Sequence, residues 1–331
     1  MENYSGLTGL VNLGNTCFIN SAIQCLSHTK ELNNILNEKI NTNKVNNSIE
    51  TLLVKEWIGL HDLMWKTNCI IKPGRFLTNM RKVAEKKNRE LFLGFQQNDI
   101  SEFLIFCLDC FHESIKRKVD MNISGNIKND KDKLAKKCYT MIKNIYNEEY
   151  SEIVSLFYGI HISNISSLES NYSNKTPEPF VFLNLEIVGN NLYDCINHYT
   201  KEEKLPSKLL VDDKSNKKEE VTKKILFWSL PEVLVITLKR FENNGVKINK
   251  NIDIPLTNLD LNKYVIGYDK NNFYNLYGIC NHIGNNINFG HYTSYVKVDN
   301  KEWFCFDDMN INKININTND AYCLFYRKIK K

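Results

Sequence analysis

Nucleophilic catalysis needs a group that can lose a proton, a base that takes it, and a third group that orients the base. Three residue types far apart in this chain can supply them. Cys17 follows the small-residue turn Leu13-Gly14-Asn15-Thr16 and opens a run in which Phe18, Ala22, Cys25 and Ile19, Ile23, Leu26 recur at three and four residues. This is the helical period, so the thiol stands at a helix start. There the unsatisfied backbone N–H groups and the positive end of the helix dipole favour thiolate over thiol, which makes the sulfur nucleophilic. Asn15 or Thr16 is placed to cap the helix. Cys25, further along the same run, reads as a small buried hydrophobe.

The base and its orienting acid come from the other end of the chain. Residues 292–298, YTSYVKV, alternate as a strand with His291 at its open end, beside Gly290, which leaves room for a partner. Asp299-Asn300-Lys301 signals a turn, and Trp303-Phe304-Cys305-Phe306 is the returning strand. With Val298 paired to Lys301 across a two-residue turn, His291 falls opposite Asp308 and Tyr292 opposite Asp307. A turn slipped by one residue pairs His291 with Asp307. Either register brings a carboxylate beside the imidazole, a setting that His282, His112 and His161 lack.

The string GLTGLVNLGNTCFINSAIQCL, residues 6–26, with its core from Asn12 to Ser21, resembles the Cys box of the ubiquitin-specific proteases, a family of papain-like deubiquitinases. The C-terminal segment resembles the family's His box, from Tyr277-Gly278 through Gly290-His291-Tyr292 to Trp303-Phe304-Cys305-Phe306-Asp307-Asp308. Leu238-Lys239-Arg240-Phe241 and Ala321-Tyr322-Cys323-Leu324-Phe325-Tyr326 resemble two further strands. The likeness is weakest between residues 105 and 225. It implies an α+β papain-like fold shaped as a right hand in one catalytic domain. A helical thumb would cover about residues 1–150, β fingers about 151–230 and a β palm about 231–331. It also implies Cys17 as nucleophile, His291 as base and Asp307 as the third triad member, with Asp308 a neighbour that supports the oxyanion or replaces Asp307. Asn12, which by itself reads as a turn residue, is implied to help hold the oxyanion.

Residues 96–104, QQNDISEFL, open another helix, and Asp99 with Glu102 three residues on is a capping-box pattern. The segment also resembles the family's Gln-Asp-x-x-Glu-Phe motif, which implies that Asp99 and Glu102 face the basic C-terminal tail of the substrate. Both roles are compatible. Gly290 and Tyr292, flanking His291, are further expected substrate contacts. The implied partner is ubiquitin or a ubiquitinated protein, hydrolysed after the C-terminal glycine. A thiol protease for a ubiquitin-like modifier is one alternative. A catalytically silent ubiquitin-binding relative is the other, and the presence of Cys17, His291 and the acids speaks against it.

Elsewhere, helical spacing predicts helices over residues 49–65, 75–83, 132–150 and 192–199, with 29–48 polar and Asn-rich. Strands are expected at 153–160, 180–187, 225–228, 233–238 and 274–282, with polar loops over 161–179 and 283–289 and a solvated stretch over 201–224. In 331 residues, 42% hydrophobic and 11% aromatic, there is material for a sizeable core. A formal charge of +5, made by scattered lysines, does not imply nucleic acid. The start lacks a secretory pattern, and no apolar run approaches the ~18 residues of a membrane span. A monomeric, soluble, intracellular protein, cytoplasmic or nuclear, with its ten cysteines reduced, is therefore expected. No cofactor and no metal are expected. Cys107-Leu108-Asp109-Cys110 has core spacing and no second pair. The fingers positions where many family members carry two Cys-x-x-Cys pairs, residues 160–167 and 211–218, contain no thiol, and His161, Cys195 and His198 are too few to replace them.

Overall fold

The computed structural model describes residues 4–94, 96–212, 217–242, 245–286, 289–299 and 301–330. Its first half is a helical lobe of α1 (Cys17–Ser27), α2 (Lys30–Asn41), α3 (Glu50–Lys66), α4 (Gly74–Lys86), α5 (Ile100–Ile115), α6 (Asp130–Glu149) and α7 (Glu152–Phe157). Every residue of α1 is buried, because it lies between the other helices and a β-sheet. Phe18 meets Phe103 of α5 edge-on at 5.8 Å, while Ser21 Oγ donates to Thr293 O on the sheet side.

Two helices depart from the sequence reading. α2 occupies a stretch read only as polar and Asn-rich; Leu32 and Leu36, one turn apart and fully buried, supply enough apolar face. Asn33 completes it by donating its amide to the carbonyls of Leu26, Ser27 and Thr29 and accepting from Trp57 Nε1, which satisfies the end of α1. α7 replaces the start of a predicted strand. Ser151 Oγ caps Val154 N, and Ile153, Leu156 and Phe157 bury a three-four spacing that a short apolar run does not distinguish from a strand.

The larger sheet contains β5 (Phe182–Glu186), β10 (Val233–Lys239), β11 (Leu259–Asp260), β12 (Phe273–Asn286), β13 (Phe289–Val298), β14 (Glu302–Asp307), β15 (Asn310–Lys313) and β16 (Ala321–Lys328). Its order is β15-β14-β13-β12-β16-β10-β5, with β11 on β12, and only β10–β5 is parallel. One face packs on the helical lobe through Val233, Val235, Cys280, Val296 and Phe325. The other packs through Leu234, Ile236 and Leu324 against α8 (Leu192–Tyr199) and the segment around Ile252 and Leu261. Burial on both faces explains why β10 reads as a continuous apolar run. β5 and α8 therefore belong with this sheet, although the sequence boundaries put them in the fingers.

A smaller sheet, ordered β4-β3-β9-β6, is built from β3 (Gly159–Ser167), β4 (Ser173–Phe180), β6 (Glu203–Lys204) and β9 (Val221–Ser229). Its first hairpin occupies most of residues 161–179, expected as a loop. Ile160 and Ile162 pack on Leu134 and Cys138 of α6, while most of the other side chains are polar, so the ladder of backbone bonds carries a strand that side-chain pattern conceals. β7 (Leu209–Asp212) pairs with β8 (Lys217–Glu219), and β1 (Gly9–Leu10) pairs parallel with β2 (Ile70–Ile71). β12 continues to Asn286 through much of the expected loop at 283–289, of which residues 287 and 288 lie outside the described ones. Among the described residues, no helix is long and apolar enough to cross a membrane.

Candidate active site

Cys17 is the first residue of α1 and 4% exposed. Thr16, one of the two residues expected to cap the helix, is its N-cap but makes no side-chain cap. Its hydroxyl instead accepts from Leu13 N and donates to Asn12 Oδ1, which also accepts from Gly14 N and Thr16 N. Asn12 thus ties the turn, Asn15 sits in the left-handed region at φ 50°, and the Thr16 side chain offers no acceptor to the first N–H groups of α1.

His291 arrives on β13 from the opposite side. Its Nε2 lies 2.6 Å from Asp307 Oδ1, and Cys17 is the neighbour that most raises the same imidazole. With Nε2 taken, Nδ1 is the nitrogen left to exchange a proton with sulfur. The interaction with Cys17, opposed by burial and seconded by Asp307, holds the imidazole above its usual range, at about 9. The arrangement holds a proton on the ring between an acid and a thiol.

The hairpin delivers this acid by a different register from either one expected. Val298 pairs with Glu302, so three residues, not two, span the turn, with Asp299 at φ 51° and Asn300 outside the described residues. The ladder stops at Ser294–Phe306. Continued, it would set Thr293 opposite Asp307, which leaves His291 as a diagonal neighbour on the same face, within reach of a carboxylate. Asp308 then turns the chain into β15 at φ 48°; one of its oxygens stays within 4.8 Å of the His291 ring and the Asp307 carboxylate, but its hydrogen bonds go elsewhere. Its Oδ2 accepts from Asn12 Nδ2 at 2.9 Å, its Oδ1 from Asn20 Nδ2 at 2.8 Å, and its carbonyl from Leu10 N at 2.8 Å. Asn20 has no role assigned by sequence pattern; the signal that marks it is a carboxamide one helical turn after Cys17, and it is 3% exposed.

A family model described as ubiquitin carboxyl-terminal hydrolase matches residues 8–326. The chain belongs to that family. It is 31% identical over 346 residues to the Bos taurus protein "Ubiquitin carboxyl-terminal hydrolase 2", a match covering 98% of this chain and 55% of that protein. The Gallus gallus protein of the same name is 32% identical over 347 residues, covering 97% of this chain and 93% of its own length. This chain therefore spans about half of the bovine relative. A solved structure of the SAGA Ubp8/Sgf11/Sus1/Sgf73 DUB module bound to ubiquitin aldehyde superposes with a TM-score of 0.76 at 28% identity, over 100% of this chain and 71% of that one. The fold is the α+β papain-like fold that the sequence resemblance implied.

In this member of the ubiquitin carboxyl-terminal hydrolase family, the expected substrate contacts are unequally placed. Asp99 caps α5, its Oδ1 accepting from Ser101 N at 2.7 Å and from the Ser101 hydroxyl, while its Oδ2 accepts from the Tyr322 hydroxyl of β16. Glu102 is exposed and does not return the capping bond to Asp99 N, so the capping box is one-sided. Gly290 is exposed on one side only. A Cβ there would lie 2.5 Å from His282 Nε2 and 2.7 Å from Ile283 O, so the room it leaves is already filled by the fold. Tyr292 is 1% exposed, edge-on to His282 at 4.8 Å, and packs beneath the site instead of offering a surface.

The other titratable candidates are occupied by the fold. His282 is fully buried, and burial followed by Lys247 lowers it to about 4. Burial raises the thiols of Cys107 and Cys110. On the smaller sheet His161 Nε2 meets Glu178 at 3.0 Å, while on α8 His198 Nε2 meets Glu186 at 3.3 Å and Cys195 Sγ meets Val188 O at 3.4 Å. Residues 160–167 lie on β3 and its start, while residues 213–216 of the second expected position lie outside the described ones. His112, Glu113 and Glu149 converge, but Lys116 Nζ stands 2.8 Å from Glu113 and 3.0 Å from Glu149 and supplies the cation there.

Proposed function

We propose that this chain is a thiol-dependent deubiquitinase that hydrolyses the bond after the C-terminal glycine of ubiquitin, with Cys17, His291 and Asp307 as its triad. The observation that carries the reading is the single imidazole held between a thiol at a helix start and a carboxylate 2.6 Å away. The family membership and the ubiquitin aldehyde complex of the Ubp8 module support the substrate.

In this reading, Cys17 sulfur attacks the terminal carbonyl while its proton resides on His291, and Asp307 keeps the ring oriented and charged. The carbonyl oxygen takes the electron pair and is met by first-turn N–H groups of α1 and by the second hydrogen of Asn12 Nδ2. Collapse of this intermediate breaks the C–N bond as His291 gives its proton to the leaving amine. A water, deprotonated by His291, then attacks the thioester and releases the carboxylate and the thiol. Asp99 and Glu102 at the start of α5 attract the basic tail of the substrate. The enzyme works as a monomer in a reducing intracellular compartment, which its ten free cysteines support.

The test is labelling with ubiquitin and ubiquitin-like modifiers carrying a C-terminal electrophile. Ubiquitin should label wild type and not Cys17→Ala, and Cys17→Ala should still bind ubiquitin. Labelling by another modifier in preference to ubiquitin would overturn the substrate assignment, and turnover by Cys17→Ala would overturn the nucleophile.

A further inference from the structure

We infer that Asn20 is a positioning residue for the oxyanion site, acting on Asn12 through the carboxylate of Asp308; this rests on the reading above that Asn12 meets the oxyanion. Asn20 stands one turn after Cys17 on a wholly buried helix, where an apolar residue would pack without leaving a polar atom behind. Its carboxamide has one orientation available. Nδ2 donates to Asp308 Oδ1 at 2.8 Å and reaches Leu10 O at 3.3 Å, and a flip would face its oxygen against the carboxylate. The cost of this orientation is visible, because Asn20 Oδ1 is buried without a partner among the described residues. A buried acceptor left unpaired beside a satisfied donor marks a group retained for what the donor holds.

What the donor holds is a hub. The Asp308 carboxylate takes one carboxamide on each oxygen, Asn20 on Oδ1 and Asn12 on Oδ2 at 2.9 Å. The main chain at Asp308 is in the left-handed region, φ 48°, and its carbonyl takes Leu10 N. Non-glycine residues seldom adopt this conformation, and where they do the surroundings enforce it. Asn20 is part of this enforcement. It fixes the carboxylate from the helix that carries the nucleophile, so the hydrogen of Asn12 Nδ2 not given to Asp308 is aimed relative to Cys17. Asn20 itself touches neither the imidazole nor the sulfur, which makes its role indirect.

A double-mutant cycle in the full chain tests this, using a ubiquitin C-terminal amide fluorogenic substrate, with iodoacetamide alkylation of Cys17 and thermal melting as readouts independent of the oxyanion. Asn12→Ala should lower kcat by about a hundredfold, the usual cost of one oxyanion donor. Asn20→Ala should lower kcat by about tenfold with KM changed less than about twofold, and the double variant should be no slower than Asn12→Ala. The alkylation rate of Cys17 should stay within about twofold throughout. The swap Asn20→Asp with Asp308→Asn restores a donor opposite an acceptor and should recover activity relative to Asn20→Asp alone. Additive losses in the double variant, or an Asn20→Ala protein with unchanged kcat while Asn12→Ala is slow, would overturn the inference and leave the deubiquitinase reading standing. An Asn12→Ala protein with wild-type kcat would remove its foundation, and a wild type that does not turn over the substrate would fail the functional reading itself. If Asn20→Ala melts early, the swap and the Asp308→Asn single variant decide: loss of kcat in Asp308→Asn with unchanged alkylation supports the hub, and retention overturns it.

Discussion

Replacing Cys17 by alanine removes the largest influence on His291 and leaves Asp307 in place, so the imidazole should titrate lower than in wild type. The raised value of about 9 against the ordinary 6.5 sets the scale. At pH 7.4 an imidazole titrating at 9 is about 98% protonated, and one titrating at 6.5 about 11%, a roughly ninefold difference in the charged form. With Asp307 retained, Cys17→Ala should fall between these limits. The direct assay is an NMR titration of the His291 ring carbon protons in both proteins. The kinetic counterpart is the pH dependence of kcat/KM for wild type, whose alkaline limb should lie near 9 and not near 6.5. The stability linkage has the same sign. A raised imidazole stabilises the folded chain fully below pH 6.5, and this contribution fades as pH rises through about 9. The His291 side chain is 38% exposed, so screening weakens the thermal signal and the titration is the decisive readout. A wild-type His291 titrating near 6.5, or one that stays at 9 without the thiol, would refute the reasoning.

The neighbouring acids should separate cleanly: Asp307→Asn should lower kcat by at least about tenfold and move the alkaline limb downward, whereas Asp308→Asn should lower kcat without moving the limb. If Asp308→Asn moves it and Asp307→Asn does not, the two assignments are exchanged. Asp99→Asn has one acceptor oxygen for the two sets of donors that Asp99 now serves, so it should raise KM for ubiquitin and cost about 1 kcal/mol of stability by melting, with Tyr322→Phe reproducing the stability loss but not the full KM effect. Gly290→Ala should destabilise by about 1–3 kcal/mol, since its Cβ would overlap His282 and the Ile283 carbonyl, and a variant melting as wild type would show that this end of the β12–β13 pair yields freely.

What the sequence determined by itself is whatever depends on neighbours along the chain. The three-four spacing after Gly14 placed Cys17 at a helix start, and the alternation before Asp299 placed His291 on a strand whose return carries two acids. Both are statements about periods of 3.6 and 2, and both are visible locally. Local pattern failed where apolar content was short or one-sided: α7 shares its spacing with a strand, and the β3–β4 hairpin hides in polar side chains because its stability comes from backbone pairing and contact with α6. The choice between Asp307 and Asp308 belonged to tertiary structure. Adjacent residues of a strand face opposite ways, and the register that decides between them was set by a three-residue turn and by the left-handed backbone at Asp308. The partners of Asn12, Asn20 and Asp99 lie 296, 288 and 223 residues away in sequence, so no periodicity could name them. Only packing the helix that carries Cys17 against the sheet that carries His291 brings these groups within hydrogen-bonding distance, and there the geometry of a 3 Å contact, not residue type, assigns each carboxylate its partner.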